Sequence, residues 1–334
     1  MMKFLIVGLG SMGKRRIRNL QQLGAAEIAG FDVREDRRLE AKSLYGIKTI
    51  DNIQAAMQWQ PDAVVISTPP DMHFRFAQVA IDAGKHYFTE AGVSAQGFAD
   101  LATQAAEANL VCAPSCTMRF HPSIRKIKSL LAEGAIGRLL TFSHQVGQFL
   151  PDWHPWEDYR DFYVSRPETG ACREIVPFEL VWLTHLLGPV REVKAMKGRL
   201  GDLDAEIDDV YQLLLRLGDN AIGHLQVDVV ARAARRELCL LGTEGNLTWS
   251  ASERLVKLYR STTKIWEHFP EDETASEASH KMPSAEFVYV EEMKAFKEAC
   301  EGGKPYPYTF SEDADVIAVL LAAEKCTASS GQKP

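Results

Sequence analysis

The stretch KFLIVGLGSMG, residues 3–13, decides the fold of this chain. Its apolar run is typical of a buried strand and leads directly into Gly8, Gly10 and Gly13, spaced as Gly-x-Gly-x-x-Gly at the start of a predicted helix. Glycines at this spacing permit a tight turn, a close approach of the backbone to a pyrophosphate, and close packing of helix on strand. The next predicted strand ends at Asp32, where a carboxylate can bind an adenosine ribose. Together these features predict a dinucleotide-binding domain.

The residues around Asp32 bear on the choice of cofactor. Its carboxylate favours NAD, because it repels the 2′-phosphate of NADP. Arg34, together with Arg37 and Arg38, leaves NADP open, since a guanidinium near the ribose can receive that phosphate. Other predicted cofactor contacts lie in the glycine motif and after the fourth strand: Ser11, Met12, Thr68, Pro69 and His73. His73 stands at a helix start, where it could equally cap the helix or pack.

The pattern of elements divides the chain into an α/β part and an α+β part. Strands alternate with helices over the first 114 residues, which predicts a doubly wound parallel sheet with strands at 3–7, 27–32, 47–50, 62–68, 85–89 and 110–114. Longer strands follow one another after residue 118 and predict a mainly antiparallel sheet, at 139–147, 190–199, 209–217, 221–230, 236–241 and 246–250. We expect a Rossmann domain over 1–118, a substrate and oligomerisation domain over 119–310, and a C-terminal helix in 311–334 that packs back on the Rossmann domain. The acidic stretch 270–283 is expected to be an exposed loop.

Composition narrows the class of partner. The 334 residues carry a net charge of −7, so the overall field repels nucleic acid and anionic membranes and favours a small-molecule partner. No run approaches the ~18 apolar residues of a membrane-spanning helix. The six cysteines form no Cys-x-x-Cys pair or zinc-spaced set, so we expect reduced thiols, a cytoplasmic location and no metal site. Arg15, Arg16 and Arg18 are expected to solvate the first helix or to reach the pyrophosphate.

Several stretches together resemble the Gfo/Idh/MocA oxidoreductase family. They include the glycine motif and further segments at 67–70 with His73, 83–86, 119–122, 134–137 and 241–245. The resemblance implies an NAD(P)-binding Rossmann domain followed by a domain with an open, mainly antiparallel sheet. It also implies sugar or cyclitol substrates, and a homodimer or homotetramer formed through the bare face of that sheet.

The chain departs from the family at both usual acid/base positions. The family follows its fifth strand with Glu-Lys-Pro, and here Glu90 matches and implies a cofactor contact, while Ala91 stands at the lysine position. The family's Asp, His and Asp of a later helix correspond to Glu174, Phe178 and Val181. Hydride transfer from a carbinol needs a proton acceptor. Either another residue has taken that role, or the protein binds cofactor without the standard reaction.

An aromatic and ionic stretch at 150–163 supplies alternative candidates, and it looks like a segment of a family branch associated with surface polysaccharides and acidic sugars. His154, Tyr159 and Glu174 are the candidate proton acceptors. The candidate substrate-binding residues are Arg119, Arg160, Arg173 and Glu179, of which the arginines could hold a carboxylate or phosphate. A structural role is also open: Trp153 and Trp156 could anchor a loop, Asp158 and Arg160 could form a surface pair, and Glu179 could be buried with a partner.

These observations lead to one functional hypothesis and one alternative. The chain is expected to be an NAD(P)-dependent oxidoreductase that transfers hydride between nicotinamide and a sugar or sugar derivative, either acidic or nucleotide-linked. The alternative is a cofactor-binding sensor or scaffold that has lost standard turnover.

Overall fold

The computed structural model describes residues 2–155, 157–218, 221–271 and 284–329. The chain forms two compact units. The first comprises Met1–Thr117 with Ser279–Asp315, and the second Met118–Ala278 with Val316–Pro334. Trp156 and most of the predicted acidic loop, from residue 272 to 283, lie outside the described residues.

The first unit is built on a six-stranded parallel sheet in the order β3-β2-β1-β4-β5-β6. Its strands are β1 Lys3–Val7, β2 Glu27–Phe31, β3 Lys48–Ile50, β4 Ala63–Ile66, β5 His86–Thr89 and β6 Cys112–Pro114. The alternating helices are α1 Ser11–Gln22, α2 Glu35–Tyr45, α3 Ile53–Gln58, α4 His73–Asp82 and α5 Phe98–Glu107. The predicted doubly wound sheet is confirmed. Strand order reverses between β1 and β4, which creates a crevice at the carboxyl ends of these two strands.

The second unit is built on an eight-stranded sheet in the order β14-β13-β12-β11-β7-β10-β9-β8. Its strands are β7 Leu139–Gly147, β8 Val190–Gly198, β9 Val210–Leu217, β10 Ala221–Asp228, β11 Arg235–Gly242, β12 Gly245–Ser250, β13 Leu255–Arg260 and β14 Ile265–Pro270. Among the described strands of this sheet, only the β7–β10 pair is parallel, so the mainly antiparallel sheet is confirmed. β13 and β14 were not predicted. The helices α6 Pro122–Ala132 and α7 Ala171–Leu187 complete this part of the chain.

One face of this sheet is buried and the other is not. Along β9, Tyr211, Leu213 and Leu215 are buried, while Leu214 between them is 53% exposed. This alternation is the period-2 signature of a strand with one packed face. The second face carries further exposed apolar side chains, among them Ile222.

The two last helices differ from the expected domain division. α8 Ser284–Cys300 groups with the first unit and packs against α1, although 119–310 was assigned to the second domain. α9 Phe310–Ser329 begins with Phe310 stacked on Phe98, at 4.7 Å between ring centroids. From Val316 onward its residues group with the second unit, and packing of the C-terminal helix on the Rossmann domain stays a prediction. The local pattern predicts these helices but not their partners. Among the described helices, none combines the length and apolarity that a membrane crossing requires.

Candidate functional site

The glycine loop after β1 is shaped by close backbone packing. Gly8 has a φ of +93°, and a side chain there would place its Cβ 2.5 Å from the carbonyl oxygen of Ser67. A Cβ on Gly13 would collide with the carbonyl oxygen of Gly8. At Gly10, by contrast, the nearest atom to an added Cβ is Arg37 Nη1 at 3.5 Å, and no backbone is close. Gly8 and Gly13 are therefore required by close packing within the protein, whereas Gly10 leaves open space beside the start of α1.

The start of α1 offers free peptide donors to that space. Gly10 is the N-cap and makes no side-chain capping bond, and the helix begins with Ser11 and Met12. The first N–H groups of a helix have no partner within the helix, and its N-terminus favours an anion. The arrangement can bind a pyrophosphate.

Asp32 ties the end of β2 to the glycine loop. Its Oδ2 accepts a hydrogen bond from Leu9 N at 2.8 Å, and its Oδ1 accepts one from Arg34 N at 2.8 Å. Each carboxylate oxygen can accept a second bond, so both can still bind a ribose hydroxyl. Arg37 is the guanidinium beside this carboxylate, with its Nη1 3.8 Å from Oδ2. The side chain of Arg34, predicted as the cofactor contact, pairs instead with Asp36.

The loop after β4 is held by a buried histidine. Ring atom Nε2 of His73 lies 2.9 Å from the carbonyl oxygen of Thr68, which precedes Pro69. Burial lowers the pKa of His73, so the ring is neutral near pH 7 and donates through Nε2. Among the described residues, the buried hydroxyl of Thr68 finds no hydrogen-bond partner. A buried hydroxyl without a partner, next to the glycine loop, is a candidate for a hydrogen bond to a ligand.

Both carboxylate oxygens of Glu90 are hydrogen-bonded to Arg16. Arg16 Nε and Nη2 each donate to a different oxygen of Glu90 at 2.7 Å, and Ser67 Oγ donates to Oε1 at 3.0 Å. Arg16 also lies 2.8 Å from Oε2 of the fully buried Glu292 on α8. Burial opposes the charged form of Arg16, but these carboxylates raise its pKa above the ordinary value.

The expectation that Arg16 solvates the first helix or reaches the pyrophosphate is therefore wrong. Its side chain is 0% exposed, and two carboxylates offset the cost of burying its charge. Arg15 and Arg18 instead pair with Glu286 at the unit's surface. Glu292 is far away in sequence, and no sequence signal links it to Arg16.

The segment carrying His154, Tyr159 and Arg160 forms short turns in the second unit. His154 stacks on Phe162 at 5.3 Å between ring centroids, and its Nδ1 lies 3.4 Å from Glu157. The hydroxyl of Tyr159 accepts a bond from Asp204 N at 2.9 Å. Arg160 is 53% exposed and binds Asp158 and the Asp204 carboxylate. The predicted surface pair of Arg160 with Asp158 is thus present, and Asp204 connects it to Tyr159.

Arg173 and Glu174 stand in the first turn of α7 and have separate partners. Arg173 Nε donates to Glu324 at 2.7 Å, and its Nη1 donates to the carbonyl of Glu168. Arg173 also lines a cavity of about 230 Å³ in the second unit. Glu174 accepts a bond from the hydroxyl of Tyr163 at 3.3 Å. Sequence reasoning did not single out Tyr163 as a partner, although it lies in the aromatic stretch.

Glu179 belongs to a buried network, so its assignment as a substrate ligand is corrected. It is 0% exposed; Oε2 is bonded to His144 Nε2 and Trp182 Nε1, each at 2.8 Å, and Oε1 to Arg236 Nη2 at 2.8 Å. Burial raises the pKa of Glu179, but the charge of Arg236 and these hydrogen bonds outweigh it and lower the pKa to about 2. The buried alternative is confirmed. Arg119 is also buried, and its Nε donates to the carbonyl of Val181 at 3.2 Å.

Comparison with known proteins follows the same division of the chain. Residues 2–115 match the family model described as an oxidoreductase family with an NAD-binding Rossmann fold, and residues 124–248 match the GFO/IDH/MocA C-terminal domain. Levoglucosan dehydrogenase of Pseudarthrobacter phenanthrenivorans is 24% identical over 250 residues, 64% of this chain and 62% of that protein. 4-Carboxy-2-hydroxymuconate-6-semialdehyde dehydrogenase of a Sphingobium species is 29% identical over 141 residues, 40% of this chain and 44% of that protein.

The aligned stretches thus span less than two thirds of the length of either curated relative. An oxidoreductase from Agrobacterium radiobacter, solved with NAD+, L-tartaric acid and magnesium, superimposes with a TM-score of 0.85 at 16% identity. That match covers 98% of this chain and 96% of the other, and it shows a shared fold. The two family models lie on the two parts of the chain whose geometry is described above, and the chain belongs to the Gfo/Idh/MocA family of oxidoreductases with an NAD-binding Rossmann domain.

Proposed function

We propose that this protein is an NAD-dependent dehydrogenase that transfers hydride between nicotinamide and a carbinol carbon of a sugar or sugar derivative. The finer expectation is an acidic or nucleotide-linked sugar. The observation that carries the proposal is the carboxylate of Asp32, fixed by Leu9 N and Arg34 N beside a glycine loop with room at Gly10. NADP is the weaker choice, because the Asp32 carboxylate repels a 2′-phosphate. It stays open because Arg37 lies 3.8 Å from that carboxylate and could receive a phosphate.

The residues of the first unit fit the dinucleotide. The peptide N–H groups at Ser11 and Met12 would hold the pyrophosphate, and Asp32 the adenosine ribose. The unpartnered hydroxyl of Thr68 would receive the other half of the cofactor. When bound, the nicotinamide ring accepts or returns a hydride. Arg16 would keep Glu90 rigid through the two hydrogen bonds between them.

The proton route is assigned to α7. Glu174, Phe178 and Val181 stand at i, i+4 and i+7, so they share one face of the helix, which we assign to the substrate. Glu174 is the only proton acceptor of these three, and the hydroxyl of Tyr163 orients it. His154 and Tyr159 remain the alternative acceptors.

The arginines predicted to bind substrate differ in how free they are to do so. Arg173 is committed to Glu324. Arg160 is exposed and bonded to two carboxylates. Arg119 is buried against the backbone of α7 at Val181. All three remain proposals.

The direct test is NADH formation. The full chain is incubated with NAD+ and a panel of neutral sugars, uronic acids and nucleotide sugars while NADH absorbance is followed. We expect turnover with at least one member, and loss of about 10²–10⁴-fold in kcat for Glu174→Gln with NAD affinity unchanged. Glu312→Gln, on α9, is the matched control. Absence of NADH across the panel, with NAD shown bound by calorimetry, would refute the dehydrogenase assignment.

That last outcome would favour the second candidate, a cofactor-binding sensor or scaffold. Ala91 and Phe178 favour it, because neither side chain can exchange a proton. For the assembly, we propose a homodimer or homotetramer through the sheet face that exposes Leu214 and Ile222, which sedimentation would test. A cytoplasmic location remains a prediction. All six cysteines are free thiols, as a reducing compartment would require.

A further inference from the structure

The buried network around Glu179 joins one carboxylate to a histidine, an indole and an arginine. His144 is 0% exposed, and both of its ring nitrogens face acceptors: Nδ1 lies 2.8 Å from the carbonyl of Glu237, and Nε2 lies 2.8 Å from Glu179. His144 therefore bridges Glu237 on β11 and Glu179 on α7, and it holds that carboxylate in place.

Arg236 supplies the cation that pairs with this carboxylate. It extends from β11 and contacts Oε1 of Glu179 through Nη2 at 2.8 Å. His144 and Trp182 both bond to the other oxygen, Oε2. The orientation of the carboxylate toward Arg236 is therefore fixed from two sides.

The rest of the Arg236 guanidinium is sparsely bonded. Its Nε is buried and, among the described residues, has no hydrogen-bond partner. Its Nη1 contacts the sulfur of Met118 at 4.0 Å, which is a weak acceptor. The side chain is 30% exposed, so this charge reaches the surface of the unit. The N–H donors of a buried guanidinium are normally hydrogen-bonded, whereas Arg236 keeps N–H donors that lack a strong acceptor.

Arg236 also lies over the helix face that the proposed function assigns to the substrate. Its guanidinium carbon is 5.8 Å from the ring centroid of Phe178. Phe178 is half-buried and cannot itself bond to a polar ligand. Beside it, Val181 receives the hydrogen bond of Arg119, a further cation. Two arginines thus flank one short stretch of α7.

Resting on the proposed function, we infer that Arg236 is a substrate-binding residue that selects sugars bearing an anionic group, a carboxylate or a phosphate, over neutral sugars. Glu179 and His144 act as positioning residues. The carboxylate of Glu179 fixes one side of the guanidinium, and the contact with His144 holds that carboxylate in place. Nη1 of Arg236, which otherwise contacts only the weak sulfur acceptor of Met118 among the described residues, is then available for a charge-assisted hydrogen bond to the ligand.

The test uses three probes that differ in charge: D-glucuronate, D-glucose 6-phosphate and D-glucose. Each is titrated into the NADH-loaded full chain by calorimetry, for the wild type, Arg236→Met, Arg236→Lys and the control Arg260→Met. Arg260 is a matched control because it is 35% exposed and pairs with Glu267 at 2.6 Å on β13 and β14. Thermal melts establish that each variant is folded.

We expect at least one anionic probe to bind wild type about tenfold or more tightly than D-glucose. Arg236→Met should weaken that probe by about 10- to 100-fold, Arg236→Lys by less, and Arg260→Met by less than about twofold. The affinity for D-glucose should stay within about twofold in all variants. Comparison of D-glucuronate with D-glucose 6-phosphate tells which anion the site takes.

Three results would overturn the inference: no binding of either anion by wild type, equal binding of anionic and neutral probes, or an equal loss of both in Arg236→Met. If Arg236→Met does not fold, the wild-type preference and Arg236→Lys decide. The proposed dehydrogenase activity is judged separately by NADH formation on the sugar panel. Anion selectivity without turnover would therefore refute the activity alone, and turnover without anion selectivity would refute the role of Arg236 alone.

Discussion

Replacing Arg16 by Met tests the buried ion cluster that fixes Glu90. The guanidinium is 0% exposed and makes contacts of 2.7–2.8 Å with Glu90 and with Glu292, which is itself 0% exposed. Met keeps much of the apolar volume against Phe88, over whose ring Arg16 lies at 4.7 Å. The substitution thus removes mainly the charge and leaves two carboxylates without their cation.

Removal of one partner from a buried ion pair costs about 3–5 kcal/mol of unfolding free energy. For a unit of this size, each 1 kcal/mol lowers Tm by about 2–4 °C, so the transition should fall by about 6–20 °C. Scanning calorimetry of the full chain measures it. Arg18→Met is the control, because Arg18 is 45% exposed and lies 3.4 Å from Glu286, a surface pair worth at most about 1 kcal/mol.

Two further results sharpen this test. Glu90→Gln added to Arg16→Met should recover part of the lost stability, since one stranded carboxylate is removed. If Arg16→Met lowers Tm no more than Arg18→Met does, the cluster does not stabilise the unit, and the rigid placement of Glu90 loses its physical basis.

Three other predictions address the two units separately. The pKa of Glu179 in the folded protein is about 2, below its ordinary 4.5, so its network stabilises the fold above pH ~4.5, and about 3 kcal/mol of unfolding free energy is lost as pH falls towards 2. Glu179→Gln should reduce this loss of stability at acidic pH in unfolding experiments. An unchanged pH dependence would contradict the prediction. Gly10→Ala should leave Tm within about 1 °C, because nothing lies within 3.5 Å of the new Cβ, yet weaken NAD binding more than tenfold in calorimetry; unchanged binding would place the pyrophosphate elsewhere. Gly13→Ala, unlike Gly10→Ala, should lower Tm, since its Cβ collides with the carbonyl oxygen of Gly8. An unchanged Tm would contradict the packing role of Gly13.

The features that sequence predicts well are local. The glycine loop, Asp32 and the alternation of strands with helices each depend on neighbouring residues, and the structure contains them in the expected places. The burial of Glu179 was also open to sequence reasoning, because a charge among apolar residues needs a partner. Its partner Arg236 could not be named, since 57 residues separate them.

The features that sequence could not predict depend on contacts distant along the chain. Glu292 accepts a bond from Ser115 across 177 residues and meets Arg16 in the same cluster. Nothing in the helical pattern of α8 predicts that partner. For the same reason, the sequence did not indicate that α8 groups with the first unit.

The most direct test of the account is the affinity for NAD+ of wild type, Asp32→Ala and the control Asp36→Ala, measured by calorimetry. Asp32 is 6% exposed and is bonded to the glycine loop, whereas Asp36 pairs with Arg34 at the surface. We expect clear binding by wild type, a loss of about tenfold or more for Asp32→Ala, and no change for Asp36→Ala. Equal affinity of all three proteins, or no binding by wild type, would contradict it.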